Sequence, residues 1–307
     1  MPLPAFKYCR PESIPELERL LCKYKGKAKI LAGGTDLLVQ MKGGTQNPAV
    51  LQNPALLIDI GNIKSLKGIL HKDGKGIEIL AGTKIAEIEA SSLIRNKLYA
   101  LYKAVTFLGS PQVRAMATLG GNLCNASPCS DTVPILMALG SELIIAGNNS
   151  ERRLSIESFL LDYRMVDLKA DEYLKSVMIP EQPKAAGSAY LCRMLRRAME
   201  IDIVNVGLWL LIDKDNRCRD IRIALGSVAP IPMRASEAEA SLRAQTISEE
   251  NIQIAGDVAS IEVAPIDDVR GSAEYRRQIV KILVIRAIKE AHSRIANGRI
   301  IGHERSD

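Results

Sequence analysis

The sequence predicts an α+β fold in two domains, and three observations lead there. The chain has 307 residues, more than the roughly 100–200 of a typical single domain. In its first half, apolar runs of strand length alternate with amphipathic helical stretches. From Ser188 onward strands come first and helices follow, the α+β order, beyond a Pro/Gly/Ala connector at Pro180–Gly187 (PEQPKAAG).

The first helix is predicted over Ser13–Tyr24 (SIPELERLLCKY). It opens on a serine with Glu16 three residues on, the capping-box spacing, and carries Leu17, Leu20, Leu21 and Tyr24 at helical intervals. Lys29–Ala32 reads as a strand that breaks at Gly33-Gly34 and resumes as a helix with Leu37, Leu38 and Val39. Further strands are expected at Leu56–Ile60 and Ile77–Leu80, with turn residues over His71–Gly76 (HKDGKG). Thr83–Glu89 starts a helix, and Leu98, Leu101, Tyr102 and Val105 stripe another that ends at Gly109-Ser110-Pro111. Thr118–Asp131 (TLGGNLCNASPCSD) shows no periodicity and reads as a polar loop. Asp131 is expected to cap a helix with Pro134 in its first turn, followed by a strand at Glu142–Ala146. The second domain holds strands at Val206–Ile212 and Ile221–Leu225, then helices around Ala235–Ala244, Asn251–Ala259 and Tyr275–Ala291.

Composition excludes several functions. Hydrophobic residues at 47% and charged residues at 25% are those of a packed globular protein. The net charge of +6 is spread along the chain and aromatics are only 4%, so the basic stripe with stacking platforms of a nucleic-acid binder is missing. No run approaches the roughly 18 apolar residues of a membrane span. Met1–Arg10 lacks a signal peptide's apolar region, so a cytoplasmic protein is expected. The six cysteines form no CxxC pair. Cys124 and Cys129, the one close pair, lack further ligands and read as small buried residues. His71, His292 and His303 fit neither a metal spacing nor a triad, so no catalytic acid–base residue and no metal ligand is assigned.

Two glycine loops remain. Ala32-Gly33-Gly34-Thr35-Asp36 puts two glycines where a strand ends, allowing backbone amides to approach an anion. The same segment serves equally as a tight strand-to-helix turn, and neither GxGxxG nor GxxxxGK[ST] is present. Thr118, Gly120, Gly121 and Asn122 repeat the small-polar pattern, exposing further backbone donors. Two such cradles in one chain suit a pyrophosphate-bearing dinucleotide.

Tyr8-Cys9-Arg10-Pro11, Leu31–Lys42 (LAGGTDLLVQMK), Leu57–Ile60 (LIDI), Ala117–Pro128 (ATLGGNLCNASP), Ala224–Arg234 (ALGSVAPIPMR) and Pro265–Tyr275 (PIDDVRGSAEY) carry a resemblance over nearly the whole chain. In these segments the sequence resembles the FAD-binding medium subunits of molybdenum hydroxylases, a family that includes xanthine, carbon monoxide and nicotinate dehydrogenases and 4-hydroxybenzoyl-CoA reductase. The resemblance implies a FAD-binding domain of the vanillyl-alcohol-oxidase (PCMH) type over residues 1–180, in subdomains of about 1–55 and 56–180. A smaller α+β domain like the carbon monoxide dehydrogenase flavoprotein C-terminus would cover 188–295.

By the same resemblance, Ile30, Leu31, Ala32, Gly33, Gly34, Thr35, Asp36 and Leu37 wrap the FAD pyrophosphate, with Ala117, Thr118, Gly121 and Asn122 closing from the other side. Asp131 holds a ribityl or ribose hydroxyl, Leu108 lies near the flavin or its adenine, and Leu168 packs on the isoalloxazine. A lysine that the family carries after Tyr190 falls on Cys192 or Arg193, and Arg193 would keep the charge near the flavin. The family's Arg-Asn before the second loop is Arg114-Ala115, and no cysteine-rich insertion of the aromatic-CoA reductase kind is present.

The implied function is an oxidoreductase subunit that passes electrons from [2Fe–2S] clusters of a small partner to an acceptor such as NAD+. A large molybdopterin subunit would hydroxylate the substrate within a heterotrimeric unit. Xanthine dehydrogenase is the leading type. Alternatives are a related carbon monoxide, nicotinate or aromatic-CoA enzyme, a self-sufficient flavin oxidoreductase, and an assembly subunit without FAD.

Overall fold

A computed structural model describes residues 5–44, 54–148, 150–196 and 199–296. Helices and strands are mixed throughout, an α+β fold. The chain divides into two compact units, one formed by Met1–Glu87, Pro111–Ala126 and Glu142–Met178, the other by Ile88–Ser110, Ser127–Ser141 and Ile179–Asp307.

In the first unit, strand Leu56–Asp59 lies between Lys7–Cys9 and Ala28–Leu31 in a parallel sheet. Leu56, Leu57 and Ile58 are all buried, as a central parallel strand requires of successive residues. Helix Ile14–Tyr24 turns Leu17 and Leu21 onto Ile58, Ile63 and Leu66. Its predicted capping box does not close. Pro15 removes one of the two amides a Ser13 hydroxyl would cap, Ser13 makes no cap bond, and the Glu16 carboxylate instead accepts from the Glu12 amide at 3.1 Å.

A second sheet of this unit orders its strands as Ile69–Lys72, Gly76–Leu80, Tyr173–Pro180, Glu142–Gly147 and Ser150–Ser155. His71 and Lys72, expected in a turn, pair with Ile77 and Gly76 instead. Their polar side chains lie on an edge strand, where apolar alternation is not needed.

The second unit is built on a sheet of Ala186–Arg193, Val204–Ile212, Cys218–Gly226 and Met233–Arg234, antiparallel in chain order. Alternation along the second strand sorts its faces. Val204, Val206, Leu208 and Leu210 enter one core with residues of helices Ser236–Leu242, Glu249–Glu262 and Ala273–Ala296. Gly207 lies on the opposite face, against helix Thr132–Ala138, so closely that a Cβ would sit 2.4 Å from the Ile135 amide nitrogen. The last helix runs past the predicted Tyr275–Ala291 at both ends. Among the described residues, no helix is long and apolar enough to cross a membrane.

Candidate functional site

The first glycine loop begins where strand Ala28–Leu31 ends and leads into the single turn Leu37–Val39. Gly34 has φ +72°, a left-handed backbone that favours glycine. Among the described residues, the amides of Gly33, Gly34, Thr35 and Asp36 donate to no partner, and the side chains of Thr35 and Asp36 accept no hydrogen bond. Adjacent amides left open in this way form a concave donor row suited to an anion.

The second loop differs from its reading as an irregular segment of open donors. Leu119–Cys124 is a short helix with Thr118 at its N-cap. Its amides are already bonded: Leu119 to the Thr83 carbonyl at 3.0 Å, Gly120 to Ala81 at 2.8 Å and Asn122 to Thr118 at 3.0 Å. The Gly121 amide donates to the Thr118 hydroxyl oxygen at 3.1 Å. Gly120 is needed for close packing, since a Cβ there would lie 2.6 Å from the Ala81 methyl.

The structure brings the two loops together. A Cβ on Gly33 would fall 2.2 Å from the Met116 carbonyl oxygen, and one on Gly121 would reach 3.9 Å from the Ala32 methyl. Asn125, which the sequence reading passed over, fastens three segments. Its Oδ1 accepts from Gln40 Nε2 at 3.0 Å and from Arg164 Nη1 at 2.9 Å. The Arg164 amide also donates to the Ala126 carbonyl, tying the turn that leads to the half-buried Leu168 to the end of the second loop.

Beside the loops, a cavity of about 240 Å³ takes Ala32 and Thr118 into its wall together with Arg10, Lys67, Lys84 and Asp59. Three cations face one carboxylate. Asp59 accepts from Tyr8 at 2.6 Å and pairs with Arg10 at 3.3 Å. Open amides and nearby cations fit the charge of a diphosphate. Arg10 lay within a motif used for the resemblance, but Lys67 and Lys84 gave no local signal, because only tertiary folding aligns them with the loops.

The remaining predicted residues belong to the second unit. Asp131 stands at the N-cap position of helix Thr132–Ala138 as expected, but its side chain makes no cap bond, which corrects its reading as the capping group. Ser130 Oγ accepts from the Val133 amide at 3.4 Å, while the Asp131 carboxylate takes the Tyr190 hydroxyl at 2.8 Å. The same hydroxyl lies 3.2 Å from Asp202 Oδ2, which also accepts from Asn205 Nδ2 at 2.7 Å. Burial, and next the Asp202 charge, push the Asp131 carboxyl well above the usual range. Burial likewise raises Asp202 and, ahead of the two acids, Tyr190. Leu108 is buried at the end of helix Tyr99–Phe107.

Register separates the two candidates for the family's lysine. Cys192 pairs with Asn205 and shares the Tyr190 face, with a thiol that burial, then Asp202 and Asp131, raise. Arg193 pairs with Val204 on the other face, its Nε 3.4 Å from the Tyr275 hydroxyl, and is not brought together with Asp131. Cys124 and Cys129, expected buried, are half-buried, and burial pushes the Cys124 thiol up to about 12.

Comparison with known proteins matches this chain to the FAD binding domain in molybdopterin dehydrogenase over residues 4–182 and to the CO dehydrogenase flavoprotein C-terminal domain over 189–291. The carbon monoxide dehydrogenase medium chain of Hydrogenophaga pseudoflava is 31% identical, over 95% of this chain and 99% of the relative. The xanthine dehydrogenase FAD-binding subunit of Escherichia coli O157:H7 is 29% identical over 86% and 89%. A solved carbon monoxide dehydrogenase from Hydrogenophaga pseudoflava superposes with a TM-score of 0.89 at 30% identity, covering 96% of this chain and 99% of that one. The chain therefore belongs to the family of FAD-binding medium subunits of the molybdenum hydroxylases, and is the FAD-containing oxidoreductase component of a molybdenum-dependent dehydrogenase.

Proposed function

We propose that this chain is the electron-transfer flavin subunit of a cytoplasmic molybdenum hydroxylase, placed between the [2Fe–2S] clusters of a small partner and an acceptor such as NAD+. The large partner carries the molybdopterin and the substrate site. The observation that carries the reading is the open amide row Gly33–Asp36 pressed against the Thr118 loop. Bound FAD supplies the redox chemistry.

The chain's own residues bind and orient. Gly33–Asp36 donate to the diphosphate, with Ile30, Leu31, Ala32 and Leu37 shaping the wrap. Arg10, Lys67 and Lys84 offset its charge from the neighbouring cavity. Ala117, Thr118, Gly121 and Asn122 form the opposing wall, and Asn125 fixes its position. Asp131 holds a ribityl or ribose hydroxyl, Leu108 lies near the flavin or its adenine, and Leu168 packs on the ring. Arg193 keeps a positive charge near the flavin, with Cys192, which shares a face with Tyr190, the other candidate for the family's lysine position. We divide the chain functionally into 1–180 for FAD and 188–295 for the C-terminal domain.

The complex is assigned to the xanthine dehydrogenase type, and its test discriminates that type from the carbon monoxide dehydrogenases. The complex is purified intact, held without oxygen and offered xanthine or carbon monoxide in turn. Bleaching of the flavin band by xanthine, followed by NADH formation on adding NAD+, is the expected result. Bleaching by carbon monoxide alone refutes the xanthine assignment, and absence of flavin from the complex refutes the site.

A further inference from the structure

The half-buried Asp131 joins the buried Tyr190, Asp202 and Asn205 in a polar group whose hydrogens do not suffice for its acceptors. Tyr190 and Asp202 are each 2% exposed and Asn205 is fully buried. The phenol has one hydrogen, yet carboxyl oxygens of both acids lie within hydrogen-bond distance, at 2.8 and 3.2 Å. Each carboxyl group also acts on the other. Asp202 Oδ1 and Asn205 Oδ1 are buried without a partner.

Among the described residues, the surroundings contribute no compensating cation. From strand Ala186–Arg193 the pair is faced by Tyr190 and by the Cys192 thiol, and from strand Val204–Ile212 by Asn205. Cys129 lies on the chain just before Asp131 and feels the Asp202 charge. Lys103, on helix Tyr99–Phe107, acts on Cys192 and stacks 5.9 Å over Tyr99. Arg270 and Arg276 act on Cys129, and both guanidinium groups are paired with Asp268. Among the described residues, neither Asp131 nor Asp202 makes an ion pair. Two carboxylates that meet at one hydroxyl, one of them buried, with no cation paired to either among the described residues, resist being ionised together.

We propose that Asp131 and Asp202 share a single proton across the Tyr190 hydroxyl, so that Asp202 is a positioning residue that keeps Asp131 neutral at neutral pH. A neutral carboxyl can donate to a hydroxyl oxygen as well as accept from a hydroxyl, whereas a carboxylate can only accept. The shared proton concerns this chain alone. Its effect on a flavin hydroxyl rests on the reading of Asp131 given above.

Infrared difference titration of the full-length chain without added cofactor tests the proton directly. The wild type is expected to show the C=O stretch of a protonated carboxylic acid at neutral pH. That band is expected to vanish in Asp202→Asn and in Asp131→Asn, because the remaining carboxylate, relieved of its like-charged neighbour, ionises while accepting from Tyr190. Absence of the band in the wild type overturns the proposal, as does its persistence in Asp202→Asn, which would mean that burial alone protonates Asp131. Should Asp202→Asn fail to fold, Asp131→Asn supplies the same comparison.

The second measurement is FAD affinity against pH. Wild-type affinity is expected to fall roughly tenfold as the pair loses its proton, the size of one lost hydrogen bond, and Asp202→Asn to give a flat profile. A chain with the infrared band but no FAD binding would refute the flavin reading and leave the shared proton standing. A flat wild-type profile would refute the role of that proton in binding.

Discussion

Replacing Gly33 by alanine introduces a methyl carbon 2.2 Å from the Met116 carbonyl oxygen, 2.7 Å from the Met116 carbonyl carbon and 2.8 Å from Ala117 Cα. All three neighbours are backbone, so no side chain can swing aside. Reaching a tolerated contact of 3.0 Å requires the loops to part by at least 0.8 Å. Gly33 does not have a positive φ, so the effect is steric rather than conformational. Overpacking of this kind costs about 1–3 kcal/mol, and each kcal/mol lowers the melting temperature of a chain of this size by roughly 2–4 °C. Separation of the loops also moves the open amides relative to Thr118, which is expected to weaken FAD binding by roughly tenfold or more. Thermal melting and flavin absorbance after gel filtration measure the two effects. Gly121→Ala is the control, because its methyl meets only the Thr118 hydroxyl at 3.0 Å and the Ala32 methyl at 3.9 Å. Wild-type melting and full flavin occupancy in Gly33→Ala would refute the argument that loop contact shapes the cradle.

Thr118→Val removes the acceptor of the Gly121 amide and is expected to lower stability by about 1 kcal/mol, the usual cost of an N-cap, read by denaturant unfolding. Asn125→Ala leaves Gln40 and Arg164 without their shared acceptor; a loss of about 1–3 kcal/mol and faster flavin release by fluorescence are expected. For Asp202 the sign of the pH effect follows from its raised pKa. Between the ordinary aspartate value of 3.8 and that raised value the folded state binds more protons than the unfolded one, so stability falls as pH rises through this window. Melting curves across pH are expected to show that fall in the wild type and a flatter profile in Asp202→Asn.

Much of the fold was legible locally. Leu17, Leu20 and Leu21 marked a helix, Leu56–Ile58 a central strand, and Gly33-Gly34 the turn after a strand, because helical spacing, apolar runs and turn chemistry are properties of a few consecutive residues. The loop assigned to Leu119–Cys124 was misread for the same reason. Its two glycines hide a helix whose formation depends on Ala81 and Thr83, distant in sequence, to accept its first amides.

By itself the sequence determined the alternation of strands and helices, the two glycine loops and the presence of Asp131 ahead of a helix. Only the tertiary structure decided which amides stay open, since Thr83, Ala81 and Thr118 satisfy the second loop's donors while those of Gly33–Asp36 have no partner among the described residues. Only strand register placed Cys192 with Asn205 and Arg193 with Val204. Side-chain direction reverses with every residue of a strand, so a one-residue alignment choice becomes a choice of face. Asp131 likewise acquired Tyr190 and Asp202 as partners through sheet pairing and helix packing, contacts between segments far apart in the chain that no local window of sequence contains.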